Sequence, residues 1–184
     1  TRSDRDWSSD VCSSDLDIEP GLAFGSGSHP TTRLCLETLE RYVKNGNEVL
    51  DIGCGSGILS IATLLLGAKH ALGVDIDSLA VKTAKENAKQ NGFAEDRFTA
   101  VQGNLSDKVS GKFDIVVANI VADIIMEFNT EVGKFLKDDG VYITGGIIEN
   151  REDEVLYSFN QNGFEVIERH ENNGWLVFVL KKTL

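Results

Sequence analysis

Nowhere in the 184 residues does an apolar run approach the roughly 18 residues needed to cross a bilayer, which argues against a membrane-spanning chain. Positive charge is also scarce. Eighteen Lys and Arg stand against 29 Asp and Glu, giving a formal net charge of -11 and a pI of about 4.7. That field repels phosphate backbones and no local basic patch offsets it, so a nucleic-acid groove is not expected and a basic protein partner suits the chain better. Cysteine is sparse as well: Cys12, Cys35 and Cys54 are odd in number and fall in neither CxxC nor Cys/His spacing. This speaks against a disulfide scaffold or a metal site and fits a reducing cytoplasm, with Cys54 a small buried residue of a loop.

Residues 1–16 are rich in Ser and Asp, have neither helical nor strand periodicity and include no initiator methionine. They are expected to be a non-native or disordered leader, with the natural protein continuing upstream. Residues 17–184 are expected to be one domain, large enough to bury a core without disulfides or metals.

From Asp17 onward short apolar runs alternate with amphipathic stretches, the pattern of a parallel sheet covered on both faces. Strands are predicted over residues 48–52, 71–75, 98–102, 113–118 and 141–144, which are compact, β-branched or apolar. A helix is predicted over 78–91, with Val81, Ala84 and Ala88 on one face, Ser78 as N-cap and Gly92 as the stop. Val121, Ile124, Ile125, Phe128, Val132 and Phe135 recur at helical spacing, as do Val155, Leu156 and Phe159, and both sets are expected to pack on the sheet. Two further strand-like runs, 164–169 and 175–181, flank residues 170–174, whose Asn-Gly signals a hairpin. The sum is about seven strands ending in an antiparallel pair.

Residues 51–58, DIGCGSGI, carry a strand into a glycine-rich turn and then a helix. Glycines are needed where a backbone turns sharply and approaches a ligand closely, so Gly53 and Gly55 become candidate ligand contacts. A dinucleotide fingerprint would place its last glycine where Ile58 stands, which weakens a nicotinamide-cofactor reading. Asp75 ends the next strand, 22 residues beyond Gly53. A carboxylate there can accept hydrogen bonds from both hydroxyls of a ribose.

PGLAFGSGSHPTT at 20–32, DIGCGSGILSIA at 51–62 and VANI at 117–120 together resemble the ribosomal protein L-eleven methyltransferase family from about Asp17 to the C-terminus. Ser26 and Ser28 depart from its usual threonines but keep a hydroxyl at each place. The resemblance implies an α/β, Rossmann-like class I methyltransferase fold: a mostly parallel sheet with a C-terminal antiparallel hairpin and helices on both faces. It implies S-adenosylmethionine as cofactor, with Thr32, Gly53, Asp75 and Asn119 as contacts, and methylation of the N-terminal amine and lysines of a large-subunit ribosomal protein. It also implies an upstream substrate-binding domain that nothing in residues 1–16 could form. His29 invites a general-base reading, but the better expectation is that it positions its loop, with Pro30 holding it extended.

Methyl transfer from a sulfonium needs a neutral amine aimed in line, with little acid–base machinery. Asn119, at the carboxyl end of the fourth strand, is the candidate catalytic residue, its amide oxygen accepting from the amine. The alternative is that Asn119 caps a helix starting near Val121. Two rivals use the same fold: a methyltransferase of a nucleic-acid base or glutamine amide, disfavoured because Ile120, Val121 and Ala122 offer no stacking platform, and a truncated domain that binds cofactor without modifying the full substrate.

Overall fold

A computed structural model of the chain describes residues 27–183. The expected leader and residues 20–26 of the upstream motif lie outside the described residues. In chain order the elements are α1 (Pro30–Tyr42), β1 (Glu48–Ile52), α2 (Ile58–Leu65), β2 (His70–Asp75), α3 (Ser78–Gln90), β3 (Phe98–Gln102), β4 (Phe113–Asn119), α4 (Ala122–Asn129), β5 (Leu136–Ile148), α5 (Glu152–Gln161), β6 (Phe164–Asn172) and β7 (Trp175–Lys182). They build one seven-stranded sheet in the order β3-β2-β1-β4-β5-β7-β6. β1 to β5 pair in parallel, and β7 lies antiparallel to both β5 and β6. This is the expected α/β architecture. No helix among the described residues is long and apolar enough to cross a membrane.

Alternation along the strands splits the core in two, because successive side chains leave a strand on opposite faces. Val49, Ile115, Val117 and Ile143 pack with α1, α2 and α3, while Leu50, Ile52, Val116 and Tyr142 pack with α4 and α5. The second face contains one polar chain. Tyr142 donates its buried hydroxyl to Asn129 Oδ1 at 3.2 Å, and Asn129 Nδ2 donates to Ser158 Oγ at 2.9 Å, joining β5, α4 and α5. Burying that hydroxyl unpaired would cost on the order of 1–3 kcal/mol.

Four expectations need correction. The cap of α3 is Asp77, whose carboxylate accepts from Leu79 N at 2.8 Å; Ser78 is already helical. β5 is 13 residues long, because half-buried Lys137, exposed Asp138 and Asp139 and the Gly145-Gly146 pair interrupt the apolar signal within a continuous strand. The run from Val121 to Phe135 is not one helix: α4 ends at Asn129 and a 3₁₀ turn, Val132–Lys134, follows. In that run Val121 and Ile124 are 62% and 37% exposed, so their apolar spacing reports something other than the sheet. Finally, β6 and β7 extend to within two residues of each other. Only Asn173 and Gly174 form the turn, both at positive φ (52° and 77°), the backbone a tight primed hairpin requires.

Candidate functional site

The sheet order reverses direction between β1 and β4, and crevices at such switch points lie over the carboxyl ends of the strands. Here a cavity of about 830 Å³ opens there, lined by the glycine loop, the ends of β2 and β4, the first turn of α1, and Trp175. Every described residue singled out from the sequence as a site residue, namely Thr32, Gly53, Gly55, Asp75 and Asn119, stands in its wall.

The glycine loop is anchored on β2, Gly53 N and Cys54 N both donating to Val74 O at 2.8 and 3.1 Å. Gly53 has φ +70°, and a Cβ there would run into the Ile120 side chain. Gly57 has a different reason to be glycine. Its missing Cβ lets α2 approach Ala84 of α3, so it serves packing rather than a ligand. Asp75 is braced by the loop, with Gly55 N donating to its Oδ2 at 2.9 Å and Asp77 N to its Oδ1 at 3.0 Å.

Asn119 does not cap α4. The N-cap position of that helix is Val121, which gives no side-chain cap, while Asn119 Nδ2 donates to Thr32 Oγ1 at 3.3 Å. Its Oδ1 is buried and has no hydrogen-bond partner among the described residues. A Cβ on the neighbouring Gly145 would stand 2.9 Å from that oxygen, so glycine there keeps the space beside it open. His29 caps α1: Nδ1 accepts from Thr31 N at 3.3 Å and pairs with Thr31 Oγ1 at 2.8 Å, and the residue is extended (φ -72°, ψ 138°) before Pro30. Its ring sits edge-on to Trp175 at 4.6 Å. The far end of α1 is fastened to β6, where Glu168 accepts from the Tyr42 hydroxyl and from Arg41 Nη2 at 2.8 Å.

Sequence reasoning passed over several wall residues. Asp51 is buried on β1, its carboxylate accepting from Ser60 Oγ at 2.7 Å. Burial chiefly, with Asp75 nearby, pushes its pKa up to about 7. An acid inside the otherwise apolar VLDI was the signal. Ile76, 69% exposed, directly follows Asp75, and with Leu105, Val121 and Ile124 it gives the cavity an apolar side. Leu105 holds φ +50°, a conformation costly for a branched side chain. Cys54 is buried in the loop as expected.

The family model described as ribosomal protein L11 methyltransferase (PrmA) matches residues 5–183. Proteins named ribosomal protein L11 methyltransferase from Dictyoglomus thermophilum and Caldicellulosiruptor bescii are 52% and 48% identical over 164 and 167 residues, covering 89% and 91% of this chain. Each is covered over 54% of its own length, so the chain spans about half the length of the curated relatives it matches. The crystal structure of a ribosomal protein L11 methylase from Lactobacillus delbrueckii subsp. bulgaricus aligns with TM-score 0.86 at 33% identity, covering 92% of this chain and 86% of that one. A TehB-like SAM-dependent methyltransferase from Corynebacterium glutamicum shares the fold, with TM-score 0.66 at 20% identity over 81% of this chain and 87% of that one.

Proposed function

Because the chain belongs to the ribosomal protein L11 methyltransferase family, we propose that it is an S-adenosylmethionine-dependent catalytic domain methylating amines of that large-subunit ribosomal protein, the N-terminal α-amine and lysines. The observation that carries this reading is the partnerless Oδ1 of Asn119 in the cavity wall. An unpaired buried acceptor costs on the order of 1–3 kcal/mol, a cost relieved when a ligand N–H reaches it. An incoming amine donates one N–H to this oxygen, which orients its lone pair. Thr32 holds the Asn119 amide in place through the 3.3 Å hydrogen bond.

When bound, S-adenosylmethionine supplies an electrophilic sulfonium methyl. The residues present fit that ligand. Asp75 retains acceptor capacity beyond the two backbone amides it already serves, enough to take ribose hydroxyls. Gly53 and Gly55 let the backbone approach the ligand, and Ile76 and Leu105 offer apolar surface for a base. An α-amine with a pKa near 7.7–8.0 is partly neutral at physiological pH, whereas a lysine near 10.4 must lose a proton before attack. The net charge of -11 supports a basic protein partner over nucleic acid, and the free, buried thiols of Cys35 and Cys54 suit a reducing cytoplasm.

The test is incubation with labelled cofactor and purified large-subunit ribosomal proteins, using this chain alone and extended to its relatives' full length, beside calorimetric titration with S-adenosylmethionine. Label is expected on L11, and Asp75→Ala is expected to weaken cofactor binding by about 1.5–3 kcal/mol in a folded protein. Cofactor binding with label on no ribosomal protein, even at full length, would remove the substrate reading. Absence of binding would remove the enzymatic one.

A further inference from the structure

Charge is sorted along the strands. At the end of the sheet away from the cavity, Lys69, Arg97 and Lys112 stand just before β2, β3 and β4 and are matched by Glu48, Asp96 and Asp114. At the cavity end the match fails. There the first turn of α4, the turn Glu149–Arg151 with the start of α5, and the last residues of β6 carry Asp123, Glu149, Glu152, Asp153, Glu154 and Glu171 against Arg151 and Arg169. Both guanidiniums are already engaged: Arg151 donates to Asp123 Oδ1 at 2.6 Å and to Glu154, and Arg169 donates to Glu152 Oε2 at 2.8 Å. Glu149, Asp153 and Glu171 make no ion pair among the described residues.

An apolar lip lies beside these acids. Val121 and Ile124, three positions apart at the start of α4, are exposed among the described residues, and both line the cavity. Ile148, exposed as well, pairs in register with Trp175 of the cavity wall. The ion pair from Arg151 to Asp123 holds α4 against the turn that follows β5, so Val121 and Ile148 are presented by adjoining elements. None of the six acids lines the cavity itself.

Exposed apolar side chains at the mouth of a cavity mark a surface that a partner covers, and the acids around them decide which partner. They repel a phosphate backbone, a lipid surface of negative charge and an acidic peptide alike, and they attract a cationic chain. Their place outside the wall also matters. An amine that attacks must be neutral, whereas its neighbours in the substrate can keep their charge. Given the amine-methylating reading above, we propose that this lip docks an extended, basic segment of the substrate protein. The residue carrying the target amine passes over Val121 and Ile124 toward the unpaired Asn119 Oδ1, and charged residues flanking it meet Glu149, Asp153 and Glu171 outside. The lip reads the charge around the amine rather than the fold of the partner, so it works in this half-length chain as well as in a longer one.

The test is titration of the whole chain, saturated with S-adenosylhomocysteine, with two acetylated synthetic peptides that each carry one lysine, flanked by arginines in the first and by glutamates in the second. The arginine peptide should bind about tenfold or more tightly than the glutamate peptide at low salt, and the gap should close as salt rises to about 0.5 M. Combining Glu149→Gln, Asp153→Asn and Glu171→Gln should remove most of that preference and its salt dependence while leaving the affinity for S-adenosylhomocysteine unchanged. Val121→Ser with Ile124→Ser should weaken the arginine peptide without altering the salt dependence. If that pair does not fold, the charge variants decide alone. With S-adenosylhomocysteine bound, equal affinity for the two peptides, binding of neither, or an unchanged preference in the charge variants overturns the docking lip and leaves the cofactor reading standing. Failure of the wild-type chain to bind S-adenosylhomocysteine overturns the cofactor reading and this inference with it.

Discussion

The two sides of the cavity are built differently. One is the glycine loop, where neighbouring residues at positive φ turn back onto β2 through backbone hydrogen bonds. The other is the first turn of α1 with Trp175, where, beyond the local His29 cap, the contacts join distant parts of the chain: His29 to β7 through an aromatic edge, Thr32 to Asn119 across 87 positions. The first shape is imposed by conformations few residues can adopt. The second exists only once the sheet is complete and α1 is clamped at its far end to Glu168. Damage to the loop should therefore be local and severe, and damage to the α1 side graded.

Asn119 sits on the seam, and its loss should have the largest effect. Asn119→Ala is expected to lower the methyl-transfer rate by a factor on the order of 10² to 10³ with the fold retained, as for loss of a preorganised polar group in other active sites. Asn119→Asp sharpens the point. A carboxylate still accepts the amine hydrogen bond, yet it favours the protonated amine, which has no lone pair, so transfer should be impaired at neutral pH and recover as pH rises. A pH-rate profile beside a melting curve measures this. Normal turnover by the Asp variant at neutral pH would leave substrate alignment to the backbone.

On the loop side, Gly53→Ala combines a left-handed φ with a collision against Ile120. Strain and overpacking together should cost about 1–3 kcal/mol of stability and abolish measurable cofactor binding. Ile120→Ala in the same chain should recover the collision part and not the φ part. A double-mutant cycle that shows no coupling would mean that the loop is not held by this contact.

The same contrast explains what was legible in the sequence. β1 and β3 were placed to the residue, and Gly53 and Asp75, singled out in the sequence, both stand in the cavity wall, because a tight turn and a strand-end acid are local patterns. Val121 and Ile124 were assigned to the core because helical spacing records an apolar surrounding without saying whether it is the sheet or a cavity rim. Trp175 was read as the first residue of a strand, since nothing near it in the chain announces His29. Asp51 was hidden by its neighbours: inside Val49-Leu50-Asp51-Ile52 it looked like part of a glycine motif, and its lack of a cationic partner shows only in three dimensions.

The smallest effect expected belongs to His29, and it divides the α1 side into its parts. His29 contributes a cap to α1, worth about 1 kcal/mol, and a ring edge to Trp175, worth about 0.5–1.5 kcal/mol. His29→Ala removes both and should lower the melting temperature and weaken cofactor binding. His29→Asn restores a cap acceptor but no ring. If the two roles are separate, the Asn variant should regain most of the thermal stability while its cofactor affinity remains about 2- to 10-fold below wild type, because Trp175 has lost the ring that pins it in the wall. Full recovery of affinity in His29→Asn would show that Trp175 keeps its place unaided and that the α1 side is held by capping and by Thr32 alone. Failure to recover stability would show that the ring contact, rather than the cap, fixes the start of α1, and the graded side of the cavity would then hinge on a single aromatic pair.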